Sequence, residues 1–135
     1  MRNEEIKKDL KRAQEALESA ERNFKENDIL TTANRNFVAC ENAVYVLLKS
    51  EFGLTSISRI KILTKLKEIN PEAKEAYDKS YDLRVQADYG REAKILPLNK
   101  ENMGKTLQKV KKILDKASTL VDTDASTSKS EEKDD

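Results

Sequence analysis

Apolar residues recur at steps of three and four along most of the chain, and this spacing predicts α-helices. The first stripe consists of Ile6, Leu10, Ala13, Leu17, Ala20 and Phe24. The inward side of a last helix is marked by Met103, Leu107, Val110, Ile113, Leu114, Ala117 and Leu120. Both stripes are narrow, as in helices that bury one face and leave the rest in water. We therefore predict that both stripes are core positions.

The stretch from Ile29 to Phe52 is apolar over far more of its circumference. Its apolar residues are Leu30, Ala33, Phe37, Val38, Ala39, Cys40, Ala43, Val44, Val46, Leu47 and Leu48. They cannot share one narrow face, so a helix here must be contacted from several directions. The sequence predicts the central helix of a bundle, with an N-terminal cap at Asp28 and a C-terminal glycine at Gly53.

Two further helices meet at Asn70-Pro71. The residue before a proline avoids the helical region, whereas proline suits the first turn of a helix. The predicted inward positions of the helix before this break are Ile60, Leu63, Leu66 and Ile69, and those of the helix after it are Ala73, Ala76 and Tyr77. The pattern as a whole predicts an all-α protein.

Composition agrees with a helical domain followed by a different kind of segment. Charged residues make up 38% of the 135 residues, whereas there are only three glycines and two prolines. Residues 122–135 hold six acids and two lysines, a net charge of −4, among serine and threonine. The chain's net charge of +1 then leaves +5 for residues 1–121, a mildly basic body that could approach phosphate. We predict one domain over 1–121 and a disordered acidic tail over 122–135.

Several classes of site and location are disfavoured by what the sequence lacks. There is no histidine, so the commonest general base and zinc ligand is missing, and Cys40 is the only cysteine. We expect neither a metal site nor a cofactor. A chain with one cysteine, no secretory leader and no apolar run of the roughly 20 residues that span a bilayer is expected to be cytoplasmic.

The candidate functional stretch is Tyr81–Gly90, where charged and aromatic groups exceed what helix amphipathicity requires. Arg84 and Asp88 lie four residues apart, one turn along the same face, beside the apolar Leu83 and Ala87. One reading is a surface ion pair worth about 0.2–0.5 kcal/mol. The other is a half-buried pair, from which removing one partner costs about 3–5 kcal/mol. The second reading would tie the stretch to architecture or to a site.

Other polar residues leave their alternatives open. Arg35 and Asn42 lie seven apart on one side of the second helix, either as members of a site or at a wet edge of the bundle. The last helix carries an outer row of lysines that is either solvated or faces an anionic partner: Lys105, Lys109, Lys111, Lys112 and Lys116. No DNA-binding motif is evident.

From about Asn3 to Val121 the chain resembles the HEPN domains, in particular small archaeal and bacterial HEPN proteins with an Arg-x-x-Ala-Asp-Tyr signature. The most specific feature is Arg84-Val85-Gln86-Ala87-Asp88-Tyr89. The second helix, with Arg35-Asn36-Phe37-Val38-Ala39 and a closing Val46-Leu47-Leu48, is also similar to the family, as is the heptad-like last helix.

The resemblance implies an antiparallel four- to five-helix up-and-down bundle, commonly a homodimer, whose fourth-helix arginine faces a cleft at or near the dimer interface. Many HEPN proteins are metal-independent ribonucleases, often toxins encoded beside a minimal nucleotidyltransferase that serves as antitoxin. Their catalytic motif is an arginine followed four to six residues later by a histidine. Here Asp88 occupies that region, and no histidine exists in the chain.

Three functional hypotheses follow. The leading one is a catalytically weak or inactive HEPN module that binds nucleotide, RNA or a nucleotidyltransferase partner through Arg84, Asp88 and Tyr89, with Arg35 and Asn42 as further candidates. The first alternative is a metal-independent ribonuclease toxin that uses Arg84 and Tyr89. The second alternative is a purely structural helical adaptor. Some family members are modified on a tyrosine near the motif, at a spacing different from that of Tyr89.

Overall fold

Five helices make up the computed structural model, which describes residues 2–53 and 58–134, with the side chains of 3–51, 58 and 60–122. The helices are α1 (Arg2–Lys25), α2 (Ile29–Phe52), α3 (Arg59–Ile69), α4 (Pro71–Tyr89) and α5 (Lys100–Asp134). No strand occurs in the described ranges, so the predicted all-α bundle is confirmed. Among the described helices, none has both the length and the hydropathy needed to cross a lipid bilayer.

Helix boundaries lie where side-chain caps and left-handed glycines place them. The Asp28 carboxylate accepts a hydrogen bond from the Thr31 N–H in the first turn of α2, and Gly53 ends that helix with φ +66°. The Asn70 side chain caps α4 at the N–H of Ala73, 3.0 Å away, and Gly90 ends α4 with φ +64°. Glycine adopts this positive φ without steric cost, so both helices stop there.

Helix α2 is the centre of the bundle, as its broad apolar circumference predicts. It contacts each of the other four helices. Its buried apolar residues are Ala33, Phe37, Ala39, Cys40, Ala43, Val44, Val46, Leu47 and Leu48. Burying a large apolar side chain stabilises the fold by about 1.5–3 kcal/mol, so α2 contributes a large share of the folding free energy.

Polar contacts between helix ends establish the antiparallel arrangement. Lys49, near the end of α2, lies 2.7 Å from both Glu5 and Asp9, near the start of α1. Asn34, near the start of α2, bonds to Asp88, near the end of α4. Both α1 and α4 therefore run opposite to α2.

The inward face of α3 differs from the predicted one at Ile60. Leu66 is buried as predicted, whereas Ile60, expected to point inward, is 78% exposed and Ile62 is buried instead. Successive helical residues turn by about 100°, so a row at steps of three drifts around the axis. Ile60 and Ile69, nine residues apart, consequently lie on opposite sides of α3. Ile62 and Leu66 are one turn apart and share the inward face.

A buried carboxylate of α4 holds the segment between α4 and α5. Asp82 is 4% exposed, and its side-chain oxygens accept three consecutive backbone N–H groups of residues 94–96 at 3.0–3.2 Å. Gln86, one turn later, donates to the Leu96 carbonyl and accepts from the Leu98 N–H, each at 2.9 Å. These bonds fix the path of the chain beside the C-terminal half of α4.

Helix α5 continues past the end of the bundle's core. The last buried apolar residue of the described side chains is Val121. The helix as a backbone element includes residues 122–134. That residues 122–135 form a disordered tail stays a prediction.

Candidate functional site

The Arg84 side chain leaves α4 toward α2 and is fixed by two contacts. Its Nε donates to Asp88 Oδ2 at 3.2 Å, and its Cζ lies 5.1 Å from the centroid of the Phe37 ring. The Arg84 and Asp88 side chains keep 31% and 27% of their surface exposed. Of the two readings of this pair, the half-buried one therefore describes the geometry better than a pair in bulk water.

Asp88 is held from a second helix as well. Its Oδ2 also accepts a hydrogen bond of 3.1 Å from Nδ2 of Asn34, which is 54 residues away in sequence. One carboxylate oxygen thus joins the arginine of α4 to an amide of α2. Asn34 is not among the candidate residues that the sequence suggests. Its position three residues before Phe37 places both on one side of α2, but this spacing does not show which helix they face.

The guanidinium rests on packed aromatic rings. Phe37 is 3% exposed, and its centroid lies 5.4 Å from that of Tyr77 and 5.7 Å from that of Tyr81. A cation over an aromatic face is stabilised by about 0.5–2 kcal/mol, depending on how far it is desolvated. Phe37 and Tyr77 belong to the core, so the surface under Arg84 is part of the packed interior.

Arg84 keeps hydrogen-bonding capacity for a ligand. Within the described residues its one hydrogen bond runs through Nε, and both Nη groups remain without a partner. The Nη groups form the planar edge that binds carboxylates and phosphates by paired hydrogen bonds. Chemically, the arrangement can therefore hold an oxyanion.

Tyr89 points elsewhere. It is 63% exposed, and its ring centroid lies 5.6 Å from Cζ of Arg91. It follows Asp88 directly in sequence but makes its aromatic contact with Arg91 and not with Arg84. Among the described contacts, Arg84 therefore pairs with Asp88, whereas the Tyr89 ring pairs with Arg91.

Arg35 and Asn42 do not join this cluster. Arg35 precedes Phe37 by two positions, which places it about 200° away from Phe37 around α2. It therefore does not lie on the side of α2 that faces Arg84. Asn42 is 7% exposed, and its Nδ2 donates to the Val38 carbonyl of its own helix at 2.8 Å. Of the five candidate residues, Arg84 and Asp88 are the two that the fold brings into contact.

Two clefts border α5 away from Arg84. One, of about 270 Å³, is lined by Asn70, Glu72, Glu75, Lys109, Lys112, Ile113 and Lys116. The other, of about 200 Å³, is lined by Glu21, Phe24, Lys25, Gly104, Leu107, Gln108 and Lys111. In the first, Glu75 accepts hydrogen bonds from Lys79 and Lys109, which lower its pKa to about 2. Part of the lysine row therefore pairs with carboxylates of the same chain.

Two other kinds of chemistry find little support in the described part of the chain. Cys40 is fully buried, and this burial raises its pKa to about 12, so its thiol is protonated near neutral pH. A thiol in that form is a poor nucleophile. No group of three or more cysteine and acidic side chains within the described ranges converges as a metal site requires.

Fold and site together define a helical bundle that presents an arginine–carboxylate pair from its fourth helix. The HEPN domain profile matches residues 6–120, so the chain belongs to the HEPN domain family. Among solved structures, a protein from Sulfolobus solfataricus superposes with a TM-score of 0.65 at 17% identity, over 81% of this chain and 95% of that one. At this identity the likeness shows the fold. No curated protein matches the sequence.

Proposed function

We propose that this protein is a non-catalytic HEPN module of a toxin–antitoxin-like system that binds phosphate groups of RNA or nucleotide at Arg84. The observation that supports the proposal is how the Arg84 guanidinium is held. Its Nε is held by Asp88, its face lies over Phe37, and its Nη edge is unpartnered in the described structure. A pre-oriented guanidinium loses little freedom on binding and matches the geometry of phosphate oxygens.

The proposal of a non-catalytic module rests on the missing base. Cleavage at a ribose 2′-hydroxyl needs a group that takes a proton near neutral pH, and the chain has no histidine. The nearest alternative, Asp88, already accepts hydrogen bonds from Arg84 and Asn34 on one oxygen. A carboxylate engaged in this way is better suited to holding the arginine than to proton transfer.

Binding is tested with a short fluorescently labelled oligouridylate and with free nucleotides, measured by anisotropy on parent protein and Arg84→Ala. A hydrogen bond to a charged group is worth about 1.5–3 kcal/mol, so we expect Arg84→Ala to weaken binding by roughly tenfold to a hundredfold. Arg22→Ala, which removes the same charge from an exposed site on α1, is the control. Equal affinity of parent and Arg84→Ala, with intact helical circular dichroism, would remove the site from the proposal.

Catalysis is tested separately by incubating the protein with RNA in the presence of EDTA. We expect the RNA to remain intact at high protein concentration. Cleavage that persists in EDTA and disappears in Arg84→Ala would overturn the non-catalytic assignment and favour the metal-independent ribonuclease.

A second candidate function, contact with a minimal nucleotidyltransferase, is favoured by exposed apolar side chains around the site. Leu30, 59% exposed, lies one turn before Asn34 on α2, and Tyr89, 63% exposed, follows Asp88 on α4. Aromatic and arginine side chains are enriched in protein interfaces. A second copy of the chain is the competing occupant. Light scattering of the protein alone, and mixed with a nucleotidyltransferase encoded beside it, distinguishes the two; a monomer in both samples would contradict this candidate.

A further inference from the structure

We infer that Asn34 is a positioning residue that holds Arg84 in its ligand-binding orientation by acting through Asp88. The inference rests on the proposed function, since it concerns the same site. It adds a residue of α2 to a site whose sequence signature lies wholly in α4.

The need for such a residue follows from where Asp88 lies. It is the second-last residue of α4, immediately before Tyr89 and the left-handed Gly90, in a turn where helices fray. A carboxylate held only by Arg84 would leave two flexible side chains to orient each other. Such exposed pairs gain little, because fixing both side chains costs conformational entropy.

Asn34 supplies the fixed point that this pair lacks. It belongs to α2, the best-packed helix, and neighbours Ala33, which is fully buried. Its Nδ2 donates to the same Asp88 oxygen that accepts from Arg84, at 3.1 Å and 3.2 Å. The end of α4 is thereby tied to the rigid centre of the bundle, and the guanidinium with it.

The geometry also limits how a ligand approaches. With Nε held by Asp88 and one face over Phe37, the Nη edge is the part of Arg84 left for hydrogen bonds. An oxyanion with two acceptor oxygens in one plane, as in a phosphodiester or phosphomonoester, fits that edge. The approach must avoid Asp88, because its negative charge repels the ligand.

A double-mutant cycle tests the inference with the labelled oligouridylate. Losing one hydrogen bond changes a binding equilibrium by about threefold to tenfold, and we expect Asn34→Ala to weaken binding by this amount. In the Asp88→Ala background the same substitution should have no further effect, because Asn34 would have nothing to hold. If Asn34 instead contributed independently of Asp88, Asn34→Ala would weaken binding by the same factor in the parent and in the Asp88→Ala background. Such additive effects would overturn the inference.

A more drastic variant and a matched control complete the design. Asn34→Asp keeps the size of the side chain but places a second carboxylate against Asp88, and we expect weaker binding than with Asn34→Ala. Asn23→Ala removes an asparagine of α1 whose amide bonds within its own helix, and should bind as the parent does. If Asp88→Ala alone abolishes binding, parent-like binding of either Asn34 variant still overturns the inference, since the inference requires both to bind more weakly.

The outcomes separate this inference from the proposed function. If Arg84→Ala binds RNA as the parent does, the proposed function fails. If Arg84→Ala weakens binding and Asn34→Ala does not, the site stands and only the positioning role of Asn34 is wrong. Thermal unfolding of each variant confirms that the compared proteins are folded.

Discussion

At the scale of single residues, two aspartates of the fourth helix, Asp82 and Asp88, show how neighbouring groups decide a carboxylate's role. Asp88 is partly exposed and binds side chains, whereas Asp82 is buried and binds the backbone of residues 94–96. Backbone N–H groups converging on an oxyanion are a common way of binding phosphate. Here the Asp82 carboxylate itself accepts these N–H groups, so the role of Asp82 is structural.

Asp82→Asn should loosen the segment between α4 and α5. An amide has one oxygen where the carboxylate has two, so at least one N–H of residues 94–96 loses its acceptor. Hydrogen bonds to charged groups contribute about 1.5–3 kcal/mol, and we expect a loss of unfolding free energy in this range. Urea denaturation measures the loss, and amide hydrogen exchange should accelerate at residues 94–96.

Asp115→Asn, at an exposed position of α5, is the control and should leave both measurements unchanged. Exchange at residues 94–96 that is as slow in Asp82→Asn as in the parent would show that these bonds do not hold the segment.

Sequence spacing could predict one contact of the site but not its companion. Arg84 and Asp88 meet because positions four apart on a helix always lie side by side. The Asn34 contact depends on how α2 packs against α4, across 54 residues, and no local pattern encodes it. The role of Asp82 likewise depends on backbone groups 12 to 14 positions further on.

At the scale of helices, α1 and α2 are joined by charges as well as by apolar contacts. Lys49 and Asp9 have side chains only 8% and 9% exposed, with 2.7 Å between Nζ and Oδ2. Burial alone would lower the pKa of Lys49, but hydrogen bonds from its ammonium to Asp9 and Glu5 outweigh that effect and raise it. The lysine is therefore charged and paired inside the helix interface.

Lys49→Met should destabilise the bundle by about 3–5 kcal/mol, because it leaves the Asp9 charge buried without a partner. Adding Asp9→Leu should restore most of that loss, since a buried ion pair can be replaced by apolar groups at little cost. Chemical denaturation of the parent, single and double variants measures both effects. A double variant as unstable as Lys49→Met would contradict this explanation.

The sequence predicts how a helix packs where apolar residues are numerous, as in α2. It predicts the inward face less well where apolar residues are few, as in α3. The central position of α2 could be predicted because exposing its eleven apolar residues to water would cost too much free energy. In α3, which has few apolar residues, Leu66 points inward as predicted, but Ile62 is buried in place of Ile60. The burial of Lys49 could not be predicted, because on α2 alone it looks like a solvated residue.

At the scale of the whole molecule, α4 and α5 are linked by a carboxylate shared between two lysines. Glu75 lies 2.7 Å from Lys79 on its own helix and 3.0 Å from Lys109 on α5. Hydrogen bonds from both ammonium groups lower the pKa of Glu75 to about 2, from the 4.5 of the isolated side chain. The unfolded chain therefore binds a proton at Glu75 at a higher pH than the folded protein does.

This difference makes the stability of the bundle depend on pH. The contribution of Glu75 is fully present above pH 4.5 and is lost as the pH falls from 4.5 toward 2. We expect the unfolding free energy to fall over this interval, and Glu75→Gln to show a smaller fall. Urea denaturation at a series of pH values measures it, with Glu18→Gln on the exposed side of α1 as control. Identical pH dependence in the parent and Glu75→Gln would contradict the assignment.

The burial of Cys40 makes the protein convenient for site-specific probes. The chain has one thiol, and the fold encloses it completely while raising its pKa to about 12. Maleimide reagents should therefore not modify the folded parent and should react only when the core opens. The rate at which Cys40 is modified then reports the rate of unfolding. A cysteine introduced on the surface can then carry a dye or spin label without first removing the natural one.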